Sequence, residues 1–515
     1  MDIVVRREIS ADEELRDAWN RLVLRMERPE VFYTYEWAFA VARAYKDSRQ
    51  PLLILGYKNG ALAGVVALYL DNEKNEAGFL ASTTADYCDF ICADPDRTEF
   101  VCAAMSEFGR LKFQNLVLTN LPDASLEIVV REQKKQGYYV FSRPAYECAQ
   151  VVLSKPEEKT RIKSLLERKS SMRRITTKLA KAGPVELIHL QRREPVNAAL
   201  PDFFRRHVAR FLATGRISNH AWPERREFLD DLATLLSQAG WMKFSCLSVG
   251  GRQIAWNYGF EFAGSWFWYQ PTFDLNYQEY FPGLSLLIKM ITEACDSDDI
   301  DHIDLGLGAE GYKERVSTQT RQTVYVAASV SIFTHTRKLL RYHAAAWVQS
   351  IPWLEKWVRQ MLKRAAAVLE KIKSEGVTSG VRWVYGRARR FLAWSEEVVF
   401  FQWNPQTSID SADERNIELR SIDLDVLARA TMKYVHEPET IAYLFRAAER
   451  LAFPGSRGFA LMSGDDPVHL CWVADFQGFH MAELEWRLSA PSPNAVMIFD
   501  CWTPLSERGH GHYSR

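Results

Sequence analysis

Ser265-Trp266-Phe267-Trp268-Tyr269 leads through Asp274 to Tyr280 into Phe281-Pro282-Gly283, then into the apolar stretch Leu284 to Ala294. Ten residues further on comes Asp304-Leu305-Gly306-Leu307-Gly308-Ala309-Glu310-Gly311-Tyr312-Lys313. The aromatic run reads as a strand, the middle segment as a loop, and Pro at the head of an apolar run as a helix start. A helix that opens just after a loop leaves backbone N–H groups unpaired and pointing outward, which suits a phosphate or pyrophosphate. Phe281, Pro282, Gly283, Leu284 and Ser285 are therefore the expected cofactor-binding positions. His302 to Leu305 reads as a further strand, and Gly306, Gly308 and Gly311 allow tight turns that present Glu310, Tyr312 and Lys313 at its end.

Working outward, Leu52 to Tyr57 and Leu62 to Leu70 flank Lys58-Asn59-Gly60, which predicts a β-hairpin on an Asn-Gly turn. The pattern returns at Met242 to Val249, Gly250-Gly251 and Ile254 to Phe262. Two hairpins, each followed by strand, loop and helix, fit a diverged internal duplication. Between them Lys155 to Lys181 carries Leu165, Leu166, Met172, Ile175 and Leu179 at helical spacing and meets Gly183-Pro184 as a stop. This predicts one amphipathic helix joining the halves. Its cationic face could hold a phosphate or an RNA end, or simply be solvated.

These motifs together resemble the acetyltransferases of the cellulose-biosynthesis CelD/BcsL type, relatives of the Fem peptidyltransferases within the GNAT superfamily. The resemblance rests on Tyr277 to Gly283 and Asp304 to Lys313. It extends to Tyr33-Thr34-Tyr35-Glu36-Trp37, Asp86-Tyr87-Cys88-Asp89, Arg168 to Arg174 and Asp202-Phe203-Phe204, over roughly residues 1–335. It implies an α+β fold: tandem GNAT-like halves at 1–155 and 156–335, each a twisted mixed sheet flanked by helices. It also implies transfer of an acyl or aminoacyl group to an amine or hydroxyl. In related two-half enzymes the acceptor lies against the first half, which would give Trp37, Asp86 and Tyr87 a substrate-binding role, alongside Tyr269. Core packing explains Trp37, and a hydrogen-bonded turn explains Asp86, without function. Arg173 and Arg174 enter as substrate contacts through the same resemblance.

From 336 to 393 the chain is basic and rich in Trp, with Trp347, Trp353, Trp357 and Trp383. Two readings stay open: an amphipathic helix docked peripherally on anionic membrane, or a helical linker whose indoles pack on flanking domains. Residues 394–515 read as a further GNAT-like module, with strands at Ile417 to Arg420 and Val496 to Trp502 and a hairpin around Gly464-Asp465-Asp466. Arg508, Gly509 and Gly511 approximate the Arg/Gln-x-x-Gly-x-Gly cofactor loop, with Tyr513 where a small residue is expected. The chain stops at Arg515, one turn into the helix this loop should open. The expectation is thus a fragment or a vestigial module.

The 515 residues include 65 Lys+Arg and 65 Asp+Glu, so no overall charge argues for DNA. No apolar run spans a bilayer and no signal-peptide core heads the chain, which predicts a cytoplasmic protein, with a peripheral place at the inner face of the membrane in the docking reading. Among eight Cys only Cys88 and Cys92 lie close together, without a partner pair, so no metal is expected. His-Glu-x-x-His, Gly-x-Ser-x-Gly and Walker patterns are absent, which sets aside hydrolase and NTPase readings. The expected reaction is direct acyl transfer from acetyl-CoA or another acyl-CoA to a small-molecule or glycan-precursor acceptor of the envelope or exopolysaccharide. Glu310 or Asp304 would take the proton, Lys313 would stabilise an anion and Tyr312 would donate to the leaving sulfur. Two alternatives remain: a Fem-like transferase using aminoacyl-tRNA, and a non-catalytic scaffold docked on the membrane.

Overall fold

Both predicted hairpins form, and each turns on two residues of positive φ: Asn59 at 52° with Gly60 at 77°, and Gly250 at 57° with Gly251 at 82°. That is the turn geometry whose twist matches paired strands, and Asn and Gly tolerate it best. The computed structural model describes residues 1–308, 311–351, 417–452, 455–481, 486–490, 492 and 495–512.

The first hairpin, β2 (Gln50–Lys58) and β3 (Ala61–Asp71), belongs to an eleven-stranded sheet. β1 (Asp2–Arg6) pairs with β2, and β3 continues into β4 (Glu76–Phe79), with the short β5 (Ile91–Cys92) also on β3. β4 runs parallel to β6 (Asn115–Pro122). Beyond β6 lies not β7 (Tyr139–Val152) but a strand from the far end of the second half. The second hairpin, β9 (Phe244–Val249) and β10 (Arg252–Tyr258), sits in a separate four-stranded sheet with β8 (Val185–Leu190). The aromatic run is divided between the two sheets: β11 (Glu261–Phe262) and β12 (Ser265–Phe267) join the large sheet, whereas β13 (Gln270–Phe273) pairs with β10. β12 lies parallel to β14 (His302–Leu307), β14 pairs with β7, and β15 (Gln319–Ser329) lies between β7 and β6. The strands β6 and β7 of the first half are thus bridged by β15 of the second.

Helices α1 (Glu13–Val23), α2 (Tyr35–Ala44), α3 (Asp94–Arg110) and α4 (Leu126–Lys135) serve the first half. The predicted connecting helix is two helices, α5 (Pro156–Arg168) and α6 (Ser170–Lys181), because Lys169 leaves the helical region at ψ 109°. The bend keeps Ile162 and Leu166 of α5 and Met172 and Leu179 of α6 in one apolar cluster with α9 (Pro282–Asp296). Each such buried aliphatic side chain contributes about 1.5–3 kcal/mol. α7 (Arg193–Leu212) and α8 (Pro223–Ala239) cover the rest of the second half, and α10 (Ile332–Gln349) follows β15. On α10 Phe333, Leu340 and Trp347 are exposed, while the Tyr342 ring lies 5.4 Å from Phe141 of β7. The expectations for Trp353, Trp357 and Trp383 lie outside the described residues.

A third sheet, β16 (Ile417–Ser421), β17 (Ser456–Ser463), β18 (Asp466–Asp475) and β21 (Val496–Trp502), is accompanied by α11 (Leu424–Lys433), α12 (Pro438–Arg450) and a two-stranded ribbon, β19 (His480–Met481) with β20 (Trp486–Arg487). This module docks on α7: Val208, Ala209 and Leu212 share an apolar cluster with Val426, Leu427 and Ala430. No described helix is long and apolar enough to cross a membrane.

Candidate functional site

A wedge opens where β12 and β14 part. They pair from Ser265 to Phe267, Trp268 still donates its N–H to the Asp304 carbonyl at 2.8 Å, and the chain then turns away into the smaller sheet. β14 stays with β7 but bulges between Asp304 and Leu307, with Gly306 at φ 72°. Bulges of this kind re-aim side chains beside functional sites.

Asp304, 1% exposed, is held by three donors at this bulge. Tyr87 Oη and Gln150 Nε2 each donate to its Oδ2 at 2.8 Å, and the Gly306 N–H donates to Oδ1 at 2.8 Å. The donors come from the loop after β4, from β7 and from β14 itself, so the carboxylate joins both halves. Further along, Arg321 of β15 stands 4.2 Å over the Tyr87 ring and donates to Glu30 at 2.5 Å. Burial pushes the Glu30 carboxyl up to about 7 against the pull of Arg321.

Asp86 is different. It is half-buried and accepts no hydrogen bond among the described residues, and its Oδ2 faces the Gly306 Cα so closely that a Cβ there would lie 2.7 Å away. Burial pushes its carboxyl up to about 7, Asp304 adds to the rise, and Lys313 and Arg225 oppose it. A carboxyl titrating near neutrality and not tied down is suited to proton transfer. Lys313 is 4% exposed and donates to the carbonyls of Leu307 and Gly308 at 2.8 and 3.3 Å, which fixes the glycine turn. Tyr312 Oη accepts from the Trp268 indole at 3.1 Å.

The phosphate-binding expectation meets a built helix start. Phe281 adopts φ 52° and ψ 49°, a left-handed conformation that a bulky residue rarely takes, and caps α9 without a side-chain acceptor. Its ring is 55% exposed, while Pro282 and Ser285 are buried. α6 runs alongside: Lys178 Nζ donates to the Glu279 carbonyl at 2.9 Å and stands 5.1 Å over the Tyr280 ring. Arg173, Arg174, Thr177, Lys178 and Lys181 line a groove of about 490 Å³ on this helix. The four cations among them, Arg173, Arg174, Lys178 and Lys181, beside a helix N-terminus give a positive potential where a polyphosphate would sit.

Trp37 and Tyr269 are deep in the first-half core, both against Phe32, with rings 5.4 Å apart. Trp37 Nε1 donates to Thr84 Oγ1 at 3.1 Å, and Tyr269 accepts from Arg225 at 2.7 Å and donates to the Thr84 carbonyl. They shape the loop that carries Asp86 rather than facing the wedge. Glu310 lies outside the described residues. Arg508, Gly509 and Gly511 belong to the third sheet's module, away from the wedge. Arg508 donates to the Thr503 carbonyl at 3.2 Å, and the nearby Leu505 and Ser506 N–H groups donate to the Glu437 carboxylate at 2.8 and 3.1 Å. Residues 508–511 form turns and bends, and the helix expected to open after them falls at 513–515, outside the described residues. Sequence reading missed Gln150, Glu30, Arg321 and Arg225. A polar Gln inside the apolar strand end Cys148 to Val152 was the one local sign.

Several solved structures are similar to this chain over a little under two thirds of its length. FemX is 8% identical, covering 63% of this chain and 97% of its own at a TM-score of 0.45. A conserved protein of unknown function from Bacteroides thetaiotaomicron is 12% identical, covering 64% and 100% at 0.45. A tandem GNAT protein from the clavulanic acid biosynthesis pathway is 11% identical, covering 64% and 99% at 0.37. No curated protein matches the chain. Residues 167–314, which hold α9, the wedge, Asp304, Tyr312 and Lys313, match the family model described as an acetyltransferase (GNAT) domain.

Proposed function

We propose that the chain is an acyl-CoA-dependent N- or O-acyltransferase acting on a cell-envelope or exopolysaccharide precursor by direct transfer. The observation that carries this reading is the wedge with Asp86 and Asp304 at its closed end and a basic groove beside the α9 start. The residues fit such a donor. Within Phe281 to Ser285 the backbone N–H groups of Gly283 and Leu284 would hold its pyrophosphate, since Pro282 has none and those of Phe281 and Ser285 already donate to the Gln278 and Phe281 carbonyls. Arg174 and Lys178 would take its outer phosphate. When bound, acyl-CoA supplies an activated thioester carbonyl.

Asp86 takes the proton from the acceptor's amine or hydroxyl as the new C–N or C–O bond forms. A raised carboxyl pKa places the base near working pH, and Lys313 and Arg225 prevent it rising further. Asp304, saturated by three donors, positions Tyr87 and the glycine turn instead of accepting the proton. Tyr312 returns a proton to the sulfur as the C–S bond breaks. No covalent link to the protein is needed.

The reading is tested by following free thiol released from acetyl-CoA across amino sugars, sugar alcohols and amino acids. Acceptor-dependent release that Asp86→Asn abolishes is expected. Release from no acceptor, together with salt-sensitive retention of aminoacyl-tRNA on the α6 groove, would instead favour an aminoacyl-tRNA-dependent transferase.

A further inference from the structure

We propose that Glu507, His510 and His512 bind one divalent cation of the zinc class, in a module for which the sequence suggested no metal. Each of the three offers a ligand atom, and these atoms lie within 4.8 Å of one another. Glu507 Oε2 is 3.5 Å from His512 Nε2 and 3.9 Å from His510 Nδ1. Ligands held tetrahedrally at zinc's usual distances of about 2.0–2.2 Å are about 3.3–3.6 Å apart, so a small contraction would close the site.

The carboxylate is already aimed. Its other oxygen, Oε1, accepts from Lys433 Nζ at 3.2 Å and Tyr434 Oη at 3.4 Å, which leaves Oε2 toward the two imidazoles. The Lys433 charge, which would oppose a cation, is offset by Asp466 at 3.1 Å. His512 supplies an independent sign: it is 7% exposed, yet among the described residues neither ring nitrogen has a hydrogen-bond partner. A buried imidazole with both nitrogens unpartnered is costly unless something binds it. Gly509 at φ 85° and Gly511 at φ 72° alternate with the histidines and turn both toward Glu507. The two glycines expected to cradle a pyrophosphate thus shape a metal turn.

Three protein ligands leave one position for water, reached from the side of His510, which is half-exposed. The ion would tie the 508–512 turn to α11 through the Glu507 contacts with Lys433 and Tyr434.

The test uses the full chain, dialysed against chelator and titrated with Zn²⁺ and then with Co²⁺. One ion per chain is expected, with visible absorption of a tetrahedral cobalt site that lacks the near-ultraviolet band of thiolate ligation. Outer partners alone change metal affinity by about 10–100-fold, so His510→Ala should weaken binding at least about tenfold. That variant removes an exposed side chain and should leave the circular dichroism unchanged, so it remains readable if His512→Ala fails to fold. Absence of binding, a thiolate band, or affinity unchanged in His510→Ala would overturn the proposal.

Discussion

Tyr87 Oη donates to Asp304 Oδ2 at 2.8 Å across 217 residues of chain, and through that bond the first half of the protein sets the position of the buried carboxylate on β14 of the second. Gln150 and Arg321 extend the same contact from the exchanged strands β7 and β15. The site is therefore a property of the seam.

Removing the shared carboxylate strands its donors. Asp304→Ala leaves Tyr87 Oη and Gln150 Nε2 buried without their acceptor, and should cost about 3–5 kcal/mol. Tyr87→Phe, which removes one donor and leaves two, should cost about 1 kcal/mol. Urea unfolding of the three proteins checks the ranking.

Asp86→Asn should lower turnover about 10²–10⁴-fold, the range for loss of a general base. In the wild type, kcat/KM should rise with pH through about 7, the value to which burial pushes this carboxyl. A pH profile that stays flat from 5.5 to about 8.5 would remove Asp86 from the reaction.

The same group makes stability depend on pH. The folded chain keeps the Asp86 proton up to about 7 against an ordinary value of 3.8, so between those values the folded state binds more protons than the unfolded. The stability this proton confers is present under acid conditions and is lost as pH rises through about 7. Asp86→Asn has no such loss and should be the more stable protein at about pH 8, by about 1–4 kcal/mol relative to the difference near pH 4. Denaturant unfolding at both values checks it.

Gly306 has two reasons to stay glycine: its φ of 72°, and the 2.7 Å that would separate a new Cβ from Asp86 Oδ2. Gly306→Ala should cost about 1–2 kcal/mol and displace the base, so activity should fall more than the lost stability explains. Turnover measured well below the melting midpoint separates the two effects.

What was legible in the sequence was local. Asn59-Gly60 and Gly250-Gly251 fixed both hairpins, and Pro282 with the apolar run behind it fixed α9, because turn and cap chemistry act within a few residues. The break at Lys169 was hidden, since neither Pro nor Gly marks it and the bend is set by packing on α9. Trp266 to Tyr269 read as one strand because β propensity does not say which sheet a residue joins. Asp304, Tyr312 and Lys313 were found by motif, yet their partners Gln150, Glu30 and Arg321 are brought in by the strand exchange. No periodicity encodes contacts made across 154 or 291 residues.

The measurement that bears most directly on the central claim is calorimetric titration of the full chain with acetyl-CoA, beside an Arg174→Glu/Lys178→Glu variant. One-to-one binding is expected, weakened about tenfold or more in the variant and softened by salt, as screened phosphate contacts require. No binding at millimolar ligand, or binding the variant leaves untouched, would contradict an acyl-CoA site at the α9 start.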